Sequence, residues 1–172
     1  TCPFVKRIHK IVKRACEEGR QPVIIGQRRH PEVVAIAGWC RGGLIFESPE
    51  ELGAWLAAEP GRSNLPITMV SQTTSTKELW EKCVEVIKKV CTNSEIFDTI
   101  CGATEKRQEE AIALSRQCDA MVVVGDAASS NTNRLAVICR QNCKNVSLVD
   151  SAGEVDLSLY SDANTIGITA GA

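Results

Sequence analysis

The two halves of this chain carry the same sequence pattern, and this internal repeat limits the fold more than any other feature. A shift of 99 residues aligns cysteines, glycines and alanines in the same order: Cys2 with Cys101, Gly26 with Gly125, Ala37 with Ala136 and Cys40 with Cys139. The shift rises to 103 where Ser48 meets Ser151 and returns to 99 where Ile67 meets Ile166. Because order and spacing agree along with residue type, we predict two copies of one unit, residues 1–92 and 93–172.

Short apolar runs rich in β-branched residues alternate with amphipathic stretches in each copy. Runs of this kind are typical of buried parallel strands, and we predict seven of them: Val23–Ile25, Leu44–Phe46, Ile67–Val70, Ile96–Phe97, Met121–Val124, Val146–Val149 and Thr165–Ile168. The stretches between them have the apolar spacing of helices, and capping boxes at Ser48, Ser75 and Ser151 predict helix starts. The alternation predicts an α/β fold of two pseudo-repeated units with parallel sheets.

The composition excludes several classes of protein. With 172 residues, 44% apolar and 24% charged, the chain has the balance of a globular protein and not of a disordered segment. No run approaches the roughly 20 apolar residues of a membrane span, so we expect no membrane association. The formal net charge of −1 disfavours a dedicated nucleic-acid binder, which normally carries a basic excess.

Nine cysteines are the most unusual part of the composition. Their number is odd, no two are spaced as CxxC, and a chain of this size does not need disulfides, so we expect a reducing compartment and thiol or metal–sulfur chemistry. Cys2 and Cys101 each open a predicted helix, where a thiolate is stabilised. This repeat-related pair is a candidate for metal–sulfur ligands, with a buried apolar role as the alternative. Four others lie on apolar faces and are interpreted as small buried hydrophobes: Cys16, Cys83, Cys118 and Cys139.

Polar residues follow the first strand of the first copy. Pro31 suits the first helical position, which makes His30 the N-cap and places Glu32 in the first turn. Glu32 either merely complements the helix dipole or, together with His30 beside a metal centre, forms a pair that binds an anion and delivers protons. The hydroxyl of Thr73 follows the strand Ile67–Val70 at the same level, with helix capping as its alternative role. His9 lies on a basic helix, and we interpret it as part of a solvated face.

The second copy has a polar loop at the equivalent place. Ser129, Ser130 and Asn131 open a helix there, and free backbone N–H groups with hydroxyl and amide donors form a site suited to phosphate. Simple capping is the alternative, although one serine would satisfy it. If the repeats pack about an axis, their equivalent ends converge on one cavity. We expect that cavity to be shared by Cys2, Cys101, His30, Glu32, Ser129 and Asn131.

Six ordered motifs spanning the chain resemble those of the 4-hydroxy-3-methylbut-2-enyl diphosphate reductase family, also called IspH or LytB. The motifs are Thr1-Cys2-Pro3, the segment from His30 to Val33, Gln72-Thr73-Thr74, the segment from Thr99 to Gln108, the segment from Ser129 to Leu135, and the segment from Thr169 to Ala172. The resemblance implies a trefoil of three α/β units around a 4Fe-4S cluster that three cysteines hold, one from each unit. It also implies the last step of the methylerythritol phosphate route, in which two electrons and two protons remove an allylic hydroxyl and give isopentenyl and dimethylallyl diphosphates plus water.

The resemblance also implies roles for individual residues. Cys2 and Cys101 would be two of the three cluster ligands, the third being missing from this chain, and Glu32 would be the acid that delivers protons. Thr73 would help to hold the substrate hydroxyl. The implied ligands of the diphosphate substrate are His30, Ser129, Ser130 and Asn131. A cytoplasmic enzyme with an electron donor such as ferredoxin or flavodoxin is expected.

The chain also departs from the family pattern. Gln27 stands where many members have a second histidine, so one diphosphate contact is expected to differ. The family's N-terminal unit, with its cysteine and another histidine, is missing, and the last substrate-binding Ser or Thr would follow Ala172. We therefore expect a bacterial fragment holding the second and third units, inactive alone. The alternative is a non-catalytic module that binds a phosphorylated ligand or a partner; a thiol–disulfide enzyme is disfavoured because no CxxC is present.

Overall fold

The computed structural model describes residues 2–171 and divides them into two compact units. The first unit extends to Cys101 and contains a four-stranded parallel sheet of order β2-β1-β3-β4. A 3-10 turn over Pro60–Asn64 precedes β3. The elements of this unit are α1 (Pro3–Glu17), β1 (Gln21–Ile25), α2 (Pro31–Ala37), β2 (Leu44–Phe46), α3 (Pro49–Ala57), β3 (Ile67–Ser71), α4 (Lys77–Val90) and β4 (Ser94–Ile96).

The second unit begins at Gly102 and contains a three-stranded parallel sheet of order β6-β5-β7. Its elements are α5 (Gly102–Ser115), β5 (Ala120–Val124), α6 (Ser130–Asn142), β6 (Asn145–Val149) and β7 (Ile166–Ala170), with 3-10 turns at Ala152–Glu154 and Leu157–Tyr160. All seven predicted strands are confirmed, as is the α/β class with parallel sheets.

The strand pairings confirm the internal repeat. In the first sheet, Val23 pairs with Met69 on one side and with Leu44 on the other. In the second sheet, Val122 pairs with Ile168 and with Ser147. The first pairing recurs at a shift of 99 and the second at 103, which are the shifts found in the sequence.

The boundary between the units lies further along the chain than the repeat predicted. Strand β4 pairs with β3, so it completes the first sheet instead of opening the second unit. The first unit therefore extends through Cys101 and not only to residue 92. Sequence similarity aligned the helices and strands of the two copies, but it does not show which sheet a connecting strand joins.

Helices cover both faces of the first sheet. Ile24 and Val70 point to the side of α1 and α2, whereas their neighbours Val23, Ile25 and Met69 point to the side of α3 and α4. These side chains are completely buried, and each apolar side chain of this size stabilises the fold by about 1.5–3 kcal/mol. Continuous burial of the central strand explains why its sequence reads as an unbroken apolar run.

Two predictions about cysteines and caps need correction. Cys16 is not a buried hydrophobe: it is exposed in the last turn of α1 and forms a disulfide with Cys40, with the two Cα atoms 5.7 Å apart. The packing of α1 on α2 brings them together, which spacing in the sequence does not show. Ser48 caps α3 as predicted, but α4 is capped by Thr76 instead of Ser75.

Neither unit contains a segment that crosses a bilayer, as far as the chain is described: no helix within residues 2–171 is long and apolar enough.

One face of the second sheet is open where the first sheet is covered. Met69 and Ile67 of β3 are completely buried, because Trp80, Cys83 and Ile87 of α4 belong to the same cluster. Their equivalents in β7 are exposed, Ile168 by 67% and Ile166 by 46%. Within the described residues of the second unit, no helix takes the place of α4.

This asymmetry predicts different costs for truncation at matched positions. Met69→Ala should lower the free energy of unfolding by about 2–5 kcal/mol, because it leaves a cavity in a packed core. Ile168→Ala should change it by no more than about 0.5 kcal/mol, because the side chain already faces solvent. Urea unfolding followed by circular dichroism measures both, and equal costs would show that the two positions are packed alike.

Candidate functional site

The loops that follow β1 and β3 meet through a carboxylate in the first turn of α2. Glu32 accepts two hydrogen bonds from Thr73, one from the backbone N–H at 2.7 Å and one from Oγ1 at 2.6 Å. Thr73 is buried and Glu32 is half-buried. Both carboxylate oxygens are therefore held by one residue, which fixes the orientation of the acid at the end of the sheet.

The loop after β4 joins the same group through its backbone. The N–H of Cys101 donates to the carbonyl oxygen of Thr73 at 2.9 Å. Two residues earlier, the buried Thr99 accepts from the N–H of Ser71 at 2.8 Å and donates to its carbonyl oxygen at 2.6 Å. These bonds anchor the segment that carries Cys101 beside the residue that holds Glu32.

Gln72 lies beneath the loops and links them by hydrogen bonds, a role that the sequence did not predict for this residue of the Gln72-Thr73-Thr74 motif. Its side chain is 2% exposed, accepts from the N–H of Gln27 at 3.0 Å and donates to Oγ1 of Thr74 at 2.8 Å. Only a residue without a Cβ fits beside it, because a Cβ on Gly26 would lie 2.7 Å from the Cβ of Gln72. A buried amide between two polar loops is the signal that could have identified it.

His30 is the N-cap of α2 and Pro31 its first residue, as predicted. Nδ1 accepts from the N–H of Glu32 at 3.2 Å, so in the neutral ring the proton lies on Nε2. His30 also lines an open cleft of about 640 Å³ with Gln27, Arg28, Arg29, Pro31 and Glu47. Arg28 is ion-paired with Glu51 at 3.1 Å and Glu47 lines the same cleft, so the groups there that favour an anionic ligand are the ring N–H of His30 and the guanidinium group of Arg29.

Cys2 is the N-cap residue of α1, and its thiol is exposed. The same helix carries His9, which is not the solvated residue that the sequence predicted. Nε2 of His9 is buried and has no hydrogen-bond partner among residues 2–171, and the ring centroid lies 5.3 Å from that of Trp39. Burial lowers the pKa of His9, and the negative charge of Glu32 opposes that shift, which places α1 within electrostatic range of Glu32.

The second unit has its own polar site at the start of α6. Ser129 is the N-cap, and its Oγ accepts from the N–H of Thr132 at 3.3 Å. Ser130 is the first helical residue. Asn131 is 3% exposed, and within the described part of the chain neither its amide nitrogen nor its amide oxygen has a hydrogen-bond partner. A buried, unpaired amide is costly unless a ligand or water completes it, so this helix start has more donors than capping requires.

Two glycines shape the backbone around that helix start. Gly125 has φ of 143°, and a Cβ there would lie 2.7 Å from Oγ1 of Thr132. A Cβ on Gly171 would also overlap Thr132. The loops after β5 and β7 thus approach α6 closely, and Thr132 fills the space between them.

The cysteines divide clearly by environment. Cys83, Cys91, Cys139 and Cys143 are buried free thiols. Cys2 is exposed, and Cys101 and Cys118 are free and partly exposed, so Cys118 is less buried than predicted. Cys2 and Cys101 also precede helices, and accessible thiolates of this kind suit iron–sulfur ligation. Within residues 2–171, however, no three His, Cys, Asp or Glu side chains converge as a metal site would require. Thiolates are the right type of ligand for an iron–sulfur cluster, but two of them are too few to hold one.

Comparison with known proteins identifies the family. The family model described as LytB protein matches residues 1–172. The chain belongs to the LytB family. A relative from Caldanaerobacter subterraneus, named 4-hydroxy-3-methylbut-2-enyl diphosphate reductase, is 42% identical over 177 residues, covering all of this chain and 58% of that protein. A relative of the same name from Clostridium tetani is 39% identical, and the match covers 26% of its length.

Solved structures of LytB proteins have the same fold. The reductase from Plasmodium falciparum matches 99% of this chain and 54% of its own, with a TM-score of 0.89 and 25% identity. A structure described as the terminal enzyme of the non-mevalonate pathway matches the whole chain and 60% of its own, with a TM-score of 0.56 and 31% identity. The chain thus spans little more than half the length of many relatives it matches.

The Glu32–Thr73 contact predicts a measurable contribution to stability. Thr73→Val removes the donor to one carboxylate oxygen and should lower the free energy of unfolding by about 1–3 kcal/mol. Thr73→Ser keeps the hydroxyl and serves as the matched control. Tryptophan fluorescence during urea unfolding reports the first unit, which contains all three tryptophans. Equal unfolding midpoints for the two variants would contradict this role.

The thiol environments predict selective alkylation. Burial raises the pKa of Cys83 to about 11, so at pH 8 this thiol stays protonated and unreactive. Cys2 should react with iodoacetamide first, the partly exposed Cys101 and Cys118 next, and Cys16 and Cys40 only after reduction. Peptide mass spectrometry over time measures each site, with urea-denatured protein as the control. Labelling of Cys83 as fast as Cys2 would contradict the assigned burial.

Proposed function

We propose that this chain forms the second and third α/β units of a 4-hydroxy-3-methylbut-2-enyl diphosphate reductase. One observation carries the proposal: the Glu32 carboxylate is held by Thr73, whose carbonyl also anchors Cys101, in a chain that matches the LytB family throughout. The reaction breaks the allylic C–O bond with two electrons and two protons and gives isopentenyl or dimethylallyl diphosphate and water. It is the last step of the methylerythritol phosphate route.

Cys2 and Cys101 are the proposed ligands of a 4Fe-4S cluster. When bound, such a cluster supplies electrons and acts as a Lewis acid toward the leaving oxygen. The other cysteines are poorly suited to ligation, because they are buried, packed against the core or, in Cys16 and Cys40, joined to each other. A third thiolate therefore has to come from a further unit of the whole protein.

Glu32 is proposed to deliver the proton that turns the departing hydroxyl into water. Thr73 Oγ1 donates to the Glu32 carboxylate in this structure. Once Glu32 carries a proton, its O–H can donate to Thr73 Oγ1, whose own O–H is then free to donate to the substrate oxygen, the direction in which the proton has to move. One short chain of hydrogen bonds would thus orient the substrate oxygen and keep the acid in position. A rigid strand end favours proton transfer mainly because it holds the acid in position before the reaction.

Four residues are the proposed ligands of the diphosphate: His30, Ser129, Ser130 and Asn131. His30 offers Nε2–H at the cleft that Arg28 and Arg29 line. Ser129, Ser130 and Asn131 offer hydroxyl and amide groups at the N-terminus of α6, where the helix dipole favours negative charge. The unpaired amide of Asn131 is the feature of that set that capping leaves unexplained.

The whole protein is proposed to be a cytoplasmic enzyme that receives electrons from a carrier such as ferredoxin or flavodoxin. A reductase needs a source of electrons, and the relatives carry that name. The disulfide between Cys16 and Cys40 is the one feature at variance with a reducing compartment, and the alkylation experiment above measures how readily it opens.

A second function deserves a test because the anion site at α6 lies within one unit. The chain alone would then be a module that binds a phosphorylated ligand without catalysis. In this case Asn131→Ala should weaken pyrophosphate binding to the isolated chain at least tenfold in calorimetry, with exposed Asn142→Ala as the control. If the whole protein catalyses the reduction, ligand binding alone does not describe its function and this alternative is wrong.

The role of Glu32 predicts a separation of chemistry from cluster binding. In the whole protein, Glu32→Gln should lower kcat by about 10²- to 10⁴-fold, because the amide cannot deliver a proton. The iron content and visible absorbance of Glu32→Gln should stay as in the wild type. The control Glu95→Gln, at an exposed ion pair, should change neither kcat nor the iron content. Full turnover by Glu32→Gln would remove Glu32 from the mechanism.

The ligand assignment predicts matched effects on iron. In the whole protein, Cys101→Ser should lose the bound iron, whereas Cys83→Ser in the core should retain it. Anaerobic reconstitution of the isolated 172-residue chain should leave it nearly colourless, since two thiolates hold a cluster poorly. A stable brown chain that turns over substrate would overturn the claim that a third ligand is needed.

A further inference from the structure

One helix of the first unit concentrates positive charge in a chain that has a net charge of −1. Helix α1 contains five basic residues, Lys6, Arg7, Lys10, Lys13 and Arg14, and a single acidic residue, Glu17. Arg14 is neutralised by ion pairs with Glu18 and Glu95. Lys6 and Lys10 form no ion pair with any residue between 2 and 171. Uncompensated charge on one exposed helix marks a surface for an anionic partner.

The lysines of this helix border a groove with an aromatic wall. Lys6, His9, Lys10, Lys13 and Trp39 line a depression of about 330 Å³, called here the basic groove. Trp39 is 49% exposed, and its ring packs against that of His9 with the centroids 5.3 Å apart. A half-exposed tryptophan bordered by lysines has the composition of a small interface centre, with an aromatic anchor and a charged rim.

The basic groove begins one helical turn from a proposed cluster ligand. Cys2 is the N-cap of α1, and Lys6 lies four residues further along, about 6 Å along the helix axis at 1.5 Å per residue. Lys10 lies about 12 Å along the same axis. A protein that docks in the groove is therefore brought close to the Cys2 thiol.

We propose that the basic groove is the docking surface for an acidic one-electron carrier protein. This inference rests on the proposed function, since only a reductase needs the carrier. Two reduced carriers would dock in turn, each losing one electron. Together with two protons, these electrons break one allylic C–O bond, and one water molecule leaves. Electron-transfer complexes are small and transient, and opposite charge steers their encounter, so a compact groove rimmed by lysines suffices.

Binding to the carrier can be tested on the chain as it exists. The probe is a strongly acidic [2Fe-2S] ferredoxin, titrated at low salt by microscale thermophoresis. The double variant Lys6→Glu/Lys10→Glu should weaken binding at least tenfold, Trp39→Ala should also weaken it, and added salt should abolish it. The helix should tolerate the charge reversal, because α1 lacks an acidic residue in its first turn, where one is favourable.

The matched control reverses two lysines elsewhere on the same unit. Lys88→Glu/Lys89→Glu changes two exposed residues in the last turn of α4 and should leave ferredoxin binding within twofold. Equal loss with both double variants would overturn the proposal, because it would reflect net charge alone. Tighter binding of a single-stranded RNA of matched charge at the groove would overturn it as well, in favour of a nucleic-acid site.

Turnover by the whole protein distinguishes this proposal from the proposed function. With ferredoxin as donor, Lys6→Glu/Lys10→Glu should lower kcat/KM by about 10- to 100-fold, while turnover driven by dithionite should stay unchanged. Equal losses with both donors, or no loss with ferredoxin, would overturn the docking surface and leave the reductase assignment standing. If the wild type does not turn over with dithionite, the proposed function is wrong. The ferredoxin-binding comparison would then still show whether the basic groove binds the carrier.

Discussion

The parallel pairing of one buried central strand with a neighbour on each side is the constraint from which each unit is built. Strand β1 lies between β2 and β3, and β5 lies between β6 and β7. Because parallel strands need crossover connections, helices cover both faces of the first sheet and one face of the second, and the strands of each sheet end at the same edge. Polar residues that are distant in sequence, such as Glu32, Thr73 and Cys101, are thereby joined by hydrogen bonds. Strand order thus determines where the site forms, and the individual side chains then determine its chemistry.

The sequence predicted those parts of the structure that repeat or depend on local chemistry. Both shifts of the repeat reappear in the strand pairings, and Pro31 and His30 take their predicted places because N-cap and first-turn preferences are local. The disulfide of Cys16, the burial of His9 and the pairing of β4 with β3 were not predictable in this way. Each depends on how two elements pack against each other, and a single sequence does not show that packing.

The first unit presents two chemically different surfaces on one framework. At the strand ends, short hydrogen bonds link the Glu32 carboxylate to the Thr73 hydroxyl and the Thr73 carbonyl oxygen to the backbone N–H of Cys101. On α1, three lysines line a groove beside a half-exposed indole. Rigid geometry suits bond breaking, whereas long charged side chains suit brief encounters with a partner. Helix α1 takes part in both, because Cys2 caps it and Lys6 follows one turn later.

The open face of β7 has a consequence for handling the protein. Strand β7 pairs with β5 on one side, and no described strand pairs with its other edge. An exposed strand edge beside Ile166 and Ile168 offers free backbone donors and acceptors next to apolar side chains, which is the combination that recruits further strands. Strand β3 is flanked by β4 and covered by α4, whereas β7 is not protected in this way. Strand β7 also carries no charged side chain that would disfavour pairing with another strand. At high concentration, self-association of this chain is therefore expected to begin at the second unit.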